Sequence, residues 1–298
     1  MNKKRITVIC VVIGLAAVCS GSILFPVLQV HEAERAGALD WELSGGQVNG
    51  KNFVDISFRC LDVRRNVTEV SCLINNDGTV SLSVATRGLP HFASHEEEPY
   101  RIRIPDLSEG YQADTLPEIK KIVLESENDS LVLWEDEVTV DRLTAQMFAV
   151  VTNDKATLDC RIDALLTCFG VHGWGAQQMN TDGSNPPGFG SRLTETDAGH
   201  KLTVSINGDV VLYEKSDALK ELQKYSCILI ALIDDLDEVT WNYSFGEIED
   251  LLHFGASDAD AFLGSEDSGI DLKEYGKTAS GLQRLMDQID FAPDVFIV

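Results

Sequence analysis

Histidine and acidic side chains that lie close together are the first residues in the sequence whose chemistry could matter. The stretch "HFASHEEE" places His91 and His95 four residues apart, next to three glutamates. On a helix, two histidines at this spacing could bind zinc. However, prolines bracket the stretch between strand-like runs, and the HExxH order of zinc proteases is missing. A solvated loop is therefore favoured, and we predict no metal site here.

Carboxylates are dense in two later stretches, "DDLDE" at 234–238 and "SDADAFLGSEDSG" at 257–269. A calcium loop needs a glycine at its sixth position and a glutamate at its twelfth. Counted from Asp258, these positions hold Leu263 and Gly269, so the pattern fails. We predict no dedicated cation site, with weak cation binding as the alternative. The first stretch is kept as a candidate binding surface that comprises Asp234, Asp235, Asp237 and Glu238.

Candidate nucleophiles are few, because the sequence has no G-x-S-x-G motif. Cys160, Cys168 and Cys227 lie on apolar helical phases with no histidine near them in the sequence, so we expect inert core thiols. His172 and Trp174, in "VHGWG", could line the mouth of a pocket, although a packed helix end is the favoured interpretation. We therefore predict no catalytic residue and no cofactor.

The charge of the chain restricts its partners. The sequence has 48 acidic against 24 basic residues, a formal net charge of −24. Such a surface repels nucleic acid, because phosphate binding needs clustered Lys and Arg. It should also repel anionic lipid headgroups. Solubility and attraction of cations are what this charge predicts.

An apolar segment follows the basic N-terminus "MNKKR". Residues 6–30 carry no charge, and at helical rise they extend about 37 Å, enough to cross a hydrocarbon core of about 30 Å. We predict a membrane anchor through residues 6–30, within a first region 1–35, with a cytoplasmic N-terminus and an extracytoplasmic bulk. A cleaved signal peptide, or a lipoprotein signal at Cys19, remains an alternative.

Residues 36–137 have the alternation of a β-rich, sandwich-like domain. Strands are predicted in "FVDISFRC", "NVTEVSCLI", "VSLSV" and "YRIRI", with a turn at "NNDGT" and a hairpin from "IKKIVLES" to "SLVLWED". Cys60 and Cys72 fall on the apolar phase of neighbouring strands. They could form a disulfide, but two buried thiols are equally compatible with the pattern.

Residues 138–298 predict a mixed α/β domain, so the fold class is α+β. "TLDCRIDALLTCFG" is typical of a helix, and Asn207-Gly208 between alternating runs predicts a type I′ hairpin. Ser216 is the expected cap of a helix that ends in "CILIALI", apolar all round and hence buried. "EVTWNYSF" predicts a strand, whereas "GEIEDLLHF" and "DLKEYGKTASGLQRLMDQI" predict two closing helices.

The run "LQKYSCILIALIDDLDEVTWNY", preceded by "LTETDAGHKLTVSI" and followed by "DLKEYGKTASGLQRLM", resembles domain of unknown function 4825. That family occurs in bacterial envelope proteins, some related to β-lactam sensor-transducers. The resemblance covers residues 140–290, and "TNDKATLD" stands where the family usually has a glycine–aspartate stretch. It implies a location and an architecture, because the family has no established chemistry.

Together these features predict a membrane-anchored, extracytoplasmic sensory or ligand/partner-binding protein of the bacterial cell envelope, without catalysis. An envelope protein or a small ligand is the expected partner, and nucleic acid is not. An envelope hydrolase is one alternative, and it requires a pocket that holds His172 or His200 near a carboxylate. A purely structural envelope protein is the other.

Overall fold

The structure, a computed structural model, is an α+β protein made mostly of β-sheet, with six helices in the part described. It describes residues 30–32, 38–48, 51–62, 64–88, 99–104, 117–126, 130–171, 189–196, 199–209, 215–245, 248–263 and 271–291. The chain forms two compact units, Met1–Leu131 and Val132–Val298. No helix within these described ranges is both long and apolar enough to cross a membrane. Apart from Val30, the predicted anchor lies outside them.

Seven strands are described in the N-terminal unit: β1 (Val30–Glu32), β2 (Leu39–Val48), β3 (Lys51–Cys60), β4 (Arg65–Ile74), β5 (Thr79–Gly88), β6 (Tyr100–Ile104) and β7 (Lys121–Glu125). Strands β2, β3 and β6 form an antiparallel sheet. Strand β5 is the centre of a second sheet, with β4 antiparallel along one edge. The other edge is shared by β7, parallel to the first half of β5, and β1, antiparallel to its second half.

The predicted alternation of apolar and polar residues in these strands corresponds to alternating burial. The inward residues of β3 and β5 are buried: Val54, Ile56, Phe58, Val80, Leu82 and Val84. The predicted turn between β4 and β5 is confirmed, because the Asn75 amide donates to the Thr79 carbonyl over 2.8 Å. Gly78 is at φ +87, in the left-handed region that glycine adopts without steric cost.

The cysteine predictions for this unit are wrong. Cys60 is half-buried and Cys72 is exposed, and both are thiols rather than a disulfide. Cys60 is the last residue of β3, and Cys72 lies on β4, an edge strand without a fully buried residue that pairs with β5 in the part of the chain described. Apolar phase on an edge strand therefore does not imply burial.

The division into units falls inside β8 (Ser130–Glu135), which turns into β9 (Val138–Thr139). The C-terminal unit continues through α1 (Arg142–Thr152), α2 (Leu158–Cys168), β10 (Phe189–Thr196), β11 (Gly199–Asp209), α3 (Lys215–Leu232), β12 (Leu236–Phe245), β13 (Ile248–Gly255), α4 (Ala256–Phe262), α5 (Leu272–Gly276) and α6 (Ala279–Gln288).

Four strands of this unit form a sheet in the order β10–β11–β12–β13. Strands β11 and β12 are parallel and are connected through α3, whereas the outer pairs are antiparallel. The predicted all-apolar helix end is confirmed, because every residue from Tyr225 to Ile233 is buried. The strand predicted in "EVTWNYSF" is also confirmed as β12, whose Val239, Trp241 and Tyr243 side chains are buried.

A clasp of polar contacts joins the beginning of the C-terminal unit to its end. The Asp141 amide donates to Gln283 Oε1 over 2.9 Å, and Gln283 Nε2 donates back to Asp141 Oδ2 over 3.1 Å. The Ser280 amide, in the first turn of α6, donates to the buried Glu135 carboxylate over 3.2 Å. A carboxylate at a helix N-terminus is favoured by the helix dipole. These contacts bridge 142 and 145 residues of sequence.

Two sequence predictions for this sheet are wrong. Asn207 and Gly208 form no hairpin but lie inside β11. The pairing of β11 with β12 is irregular between Ser205 and Asp209, so the strand continues through these two residues. The stretch "GEIEDLLHF" forms no helix but strand β13, which pairs with β12 from Glu238 to Phe245. Backbone pairing with a long neighbouring strand outweighs the helical spacing of the apolar residues.

Three helix details also differ from the predictions. The single closing helix that was predicted is divided into two helices, α5 and α6. Thr278 between them is extended and caps α6, because its hydroxyl accepts from the Gly281 amide over 3.0 Å. Ser216 lies inside α3, which begins at Lys215, and so does not precede it as a cap. Cys160 is exposed on α2 and is therefore no core thiol, whereas Cys227 is buried.

Candidate functional site

The acidic stretch predicted as a binding surface is divided between two elements: Asp234 and Asp235 form a tight turn after α3, and Asp237 and Glu238 lie in β12. Asp234 and Asp235 are both exposed, and Asp235 has a φ of +57, a left-handed conformation that aspartate tolerates better than most residues. The His200 amide, on β11, donates to the Asp235 carbonyl over 2.6 Å. The turn is thereby fixed to the neighbouring strand.

A lysine provides the positive charge that this helix end requires. Lys273, on α5, donates from Nζ to the carbonyl oxygens of Ile233 and Leu236, over 2.6 and 3.0 Å. Desolvation lowers the pKa of the ammonium group, while the carboxylates around it, foremost that of Asp237, act in the opposite direction. Carboxylates are unfavourable at a helix C-terminus. The ammonium group of Lys273 offsets that cost.

An extra residue in β12 presents two carboxylates side by side. His200 is paired with Leu236 and Lys201 with Glu238, so Asp237 has no opposite residue and forms a bulge. Glycine is favoured at position 199 beside it, because φ is +148 and a Cβ there would lie 2.6 Å from the backbone carbonyl oxygen of Asp235. The bulge thus places Asp237 next to Glu238, and neither is buried.

Beyond the bulge, the β11 and β12 side chains on one face of the sheet are polar, and the exposed Leu251 of β13 lies beside them opposite Asn242. The side chains of β11 and β12 that alternate with the buried core residues are Lys201, Thr203, Ser205, Glu238, Thr240 and Asn242. We call this surface, together with His253 on β13, the open face. Its residues lie in rows, because Lys201 is opposite Glu238, Thr203 opposite Thr240, and Ser205 opposite Asn242.

Glu238 is at the centre of the contacts on the open face. Lys201 Nζ donates to Glu238 Oε2 over 2.7 Å, and the other oxygen, Oε1, lies 3.5 Å from the Thr240 hydroxyl. Thr240 is in turn 3.0 Å from His253 Nδ1, which is 3.8 Å from Glu238 Oε1. In the next row, Asn242 Nδ2 donates to Ser205 Oγ over 3.1 Å.

The electrostatics of Glu238 follow from these contacts. The hydrogen bond from Lys201 holds the pKa of Glu238 below its usual value, while desolvation acts in the opposite direction and the charges of Lys201 and His253 add to the lowering. At neutral pH the carboxylate is therefore ionised and bound on one side by an ammonium group. A stably ionised, paired carboxylate suits recognition of a polar ligand better than proton transfer near neutral pH.

Of the remaining candidates, His200 is the one that lies among the described residues. His172 and Trp174 lie outside the described residues, as do His91 and His95. The histidine of the hydrolase alternative, His200, is half-buried, and its Nδ1 atom has no hydrogen-bond partner. Across the described ranges, no group of three or more His, Cys, Asp and Glu side chains is arranged to hold a metal ion.

Three residues of the site were missed in the sequence. Helix α3 separates Lys201 from Glu238 in the sequence, and His253 lies on β13, which was predicted to be a helix. Neither residue could therefore be aligned with Glu238 from the sequence. No sequence pattern indicated the role of Lys273, because that role arises from the packing of α5 beside the end of α3. The alternation of polar residues in "KLTVS" and "EVTWN" was the available signal for the open face.

Comparison of the chain with models of protein families, with curated proteins and with solved structures gives no match. The resemblance to domain of unknown function 4825 therefore stays a prediction from the residues. The geometry of the open face is the main guide to function.

Proposed function

We propose that this protein is a membrane-anchored, extracytoplasmic sensory or binding protein of the bacterial cell envelope, and that its ligand or partner binds the open face. The observation that carries the proposal is the row arrangement of hydroxyl, amide and charged side chains around Glu238. The apolar segment 6–30 supports the membrane location. The function requires no catalytic group.

The chemistry of the open face indicates a polar ligand. Donors and acceptors alternate across it, with the ammonium group of Lys201 beside the carboxylate of Glu238. The large aromatic residues of β12, Trp241 and Tyr243, are buried on the opposite side. Contact through hydrogen bonds, as to a peptide backbone or a polar group of another envelope protein, fits this surface better than stacking on aromatic rings.

A site-specific crosslinking experiment on the full chain tests this binding role. A photoreactive amino acid is placed at Thr203, on the open face, and in a matched variant at Lys220, which is exposed on α3. Illumination of cells of the native host should give an adduct of defined mass from the first position and none from the second. If neither position yields an adduct, the binding role of the open face is lost.

Two structural parts of the proposal concern the N-terminal unit. We propose that its two sheets pack as a sandwich, because each has a row of buried apolar residues that needs cover. We also propose that the apolar segment up to residue 29, before Val30 of β1, holds the chain in the membrane with its bulk outside. Protease added to intact cells should then digest the bulk, and recovery of an undigested full-length chain would contradict the orientation.

An envelope hydrolase is kept as the second candidate because of His200. Its Nδ1 atom is shielded from solvent without a hydrogen-bond partner, and its backbone is bonded to Asp235 in the acidic turn. A hydrolase should release soluble fragments from purified cell wall, and His200→Ala should abolish that release. Absence of release by the unmodified protein removes this candidate.

A further inference from the structure

Strand β13 is one edge of the four-stranded sheet in the C-terminal unit. Its inner side pairs with β12 in a regular antiparallel register, without a bulge. No strand in the described part of the chain pairs with its outer side. Proline and lysine, which commonly block such edges, are missing from its sequence, IEDLLHFG. Its outer backbone N–H and C=O groups are therefore a template for another strand.

Two large apolar side chains on β13 are exposed. Ile248 is 65% exposed and Leu251 is 57% exposed, and among the described residues of the C-terminal unit no other large apolar side chain is as exposed. The opposite edge of the sheet, β10, differs, because its exposed side chains are those of Arg192, Thr194 and Glu195. Exposed apolar surface is typical of a contact with a partner, and here it lies on the edge that is open to pairing.

The side chains of β13 alternate between the two faces of the sheet. Leu251 and His253 lie on the open face, opposite Asn242 and Thr240 of β12, and Glu249 shares that face by the same alternation. The Nδ1 atom of His253 is 3.0 Å from the Thr240 hydroxyl. The imidazole is nevertheless 63% exposed, so its Nε2 atom is left for a further partner.

A second copy of β13 that runs antiparallel to the first brings matching side chains together in one register. With Leu251 opposite Leu251 of the second copy, Glu249 is opposite His253 on the open face, and Ile248 is opposite Phe254 on the other face. Each exposed apolar side chain then meets an apolar partner, and the carboxylate of Glu249 accepts a hydrogen bond from His253. Cross-strand pairs of both kinds stabilise antiparallel sheets.

Other registers lose these contacts. A shift by one residue turns the apolar side chains of the two copies to opposite faces. A shift by two residues in one direction places Asp250 opposite its own copy, and like charges there are unfavourable. The same shift in the other direction leaves Ile248 beyond the end of the second strand. In the favoured register, Asp250 is opposite Leu252 and keeps its ion pair with Lys215.

We propose that the protein forms a symmetric dimer in which β13 pairs antiparallel with β13 of a second copy of this chain. The two-fold axis is perpendicular to the sheet and passes beside Leu251, so two four-stranded sheets join into one of eight strands. Both open faces lie on the same side of that sheet. Glu249 of the second copy adds a carboxylate beside His253, so each copy contributes a residue to the open face of the other.

Engineered cysteines test the pairing and its register in the purified full chain. Leu251→Cys places two thiols opposite each other, with Cα atoms about 4.5–5.5 Å apart, which is within the range of a disulfide. Glu249→Cys is the matched control, because Glu249 is opposite His253 and its two copies are about 14 Å apart. The background carries Cys72→Ser and Cys160→Ser, which remove the exposed native thiols of the described residues.

Copper phenanthroline in air oxidises the thiols, and non-reducing gel electrophoresis separates the monomer from the disulfide-linked dimer. We expect Leu251→Cys to give a linked dimer, and Glu249→Cys and His253→Cys each to give none above the background. An equal mixture of Glu249→Cys and His253→Cys should give a linked dimer, because these positions are opposite. No linked dimer from Leu251→Cys, or as much from Glu249→Cys alone, would overturn the inference.

Sedimentation equilibrium of the full chain in mild detergent measures the association without engineered cysteines. Leu251→Lys adds to the edge a charge that blocks strand pairing, and it should raise the dissociation constant of the dimer at least about tenfold. Thr194→Lys, on the exposed surface of β10, is the control and should leave the constant unchanged. A full chain that stays monomeric at every concentration, or equal effects of the two variants, would contradict the pairing.

The charge of the chain gives the dimer a characteristic dependence on salt. Each copy has a formal net charge of −24, so two copies repel each other at long range. Salt screens this repulsion, whereas the backbone and apolar contacts of the paired strands do not depend on it. The dissociation constant should therefore fall as sodium chloride is raised. A constant that rises with salt would contradict pairing through these contacts.

Discussion

At the scale of single residues, Glu238 shows how a neighbouring charge sets the protonation of a surface carboxylate. Its folded pKa lies below the ordinary value, first because of the hydrogen bond from Lys201. For a carboxyl group, a lowered folded pKa gives stability that is present above the unfolded pKa and is lost as the pH falls through the folded value. Its contribution is small, because Lys201 is half-exposed to solvent.

We predict that Glu238→Gln reduces the loss of stability on acidification. Between pH 6 and pH 3, the variant should lose less of its free energy of unfolding than the unmodified chain, by less than about 1 kcal/mol. Urea unfolding at a series of pH values measures this. Glu249→Gln, an exposed residue of β13, is the control, and an equal effect there would show that the change is not specific to Glu238.

The cysteines provide a second test at this scale. Burial raises the pKa of Cys227 to about 12, so its thiol stays protonated and shielded in the folded protein. Cys72 and Cys160 are exposed. A maleimide at pH 7.5 should therefore modify Cys160 within minutes, Cys72 more slowly because desolvation raises the pKa of its thiol, and Cys227 only after denaturation, as followed by peptide mass spectrometry. Rapid modification of Cys227 in the folded chain would contradict its position in the core.

At the scale of elements, the end of α3 depends on α5. The sequence showed an apolar helix followed by a run of carboxylates, and that much was predicted correctly. It could not show how the carboxylates are tolerated, because Lys273 lies 40 residues beyond Ile233, whose carbonyl it binds. Contacts between elements that are distant in sequence leave no periodic pattern. For the same reason β13 was wrongly predicted as a helix: its pairing with β12 cannot be seen in its own sequence.

Replacing Lys273 by Met should destabilise the C-terminal unit by about 1.5–3 kcal/mol, the usual contribution of hydrogen bonds to a charged group. The methylene part of the side chain is retained, so the loss belongs to the ammonium group and its two carbonyl partners. Urea unfolding measures the change. Lys277→Met is the control, because Lys277 is exposed and pairs with the exposed Glu274, and its effect should be much smaller than that of Lys273→Met.

The close approach of α5 to α3 gives another element-scale prediction. A Cβ at Gly276 would lie 1.9 Å from the Ala231 carbonyl oxygen, so one of the two backbones must move. Gly276→Ala should therefore destabilise the unit by about 1–3 kcal/mol, as overpacking does. Gly190→Ala, on β10, has no atom within 4 Å of its new Cβ and is the matched control. A thermal scan of both variants against the unmodified chain distinguishes them.

At the scale of the whole molecule, the excess of negative charge is the property that composition alone establishes. The α+β class also followed from the sequence, through alternation in residues 36–137 and helical spacing after them. The sequence concealed the distribution of charge: arginines that are scattered along β4, β5 and the turn before β4 come together only when the strands pair. Net charge alone therefore does not show how the charged side chains are arranged on the folded chain.

Self-repulsion among the acidic residues should make stability depend on salt. Raising sodium chloride from 10 mM to 0.5 M shortens the screening length from about 30 Å to about 4 Å. The midpoint of thermal unfolding of the full chain should rise by a few degrees, because the compact state of a highly charged protein is destabilised by its own field. A midpoint that falls with salt would show that attractive ion pairs dominate instead.

The clasp between Asp141 and Gln283 has a consequence for how the protein is made. A ribosome releases the chain from its N-terminal end, so the strands and the first helices of the C-terminal unit emerge long before their partners on α6 exist. Until Gln283 has left the exit tunnel, that unit lacks the helix which fastens its beginning. A stalled nascent chain whose α6 is still inside the tunnel should therefore be cut readily by protease, and one that carries a C-terminal linker long enough to bring Gln288 out of the tunnel should resist.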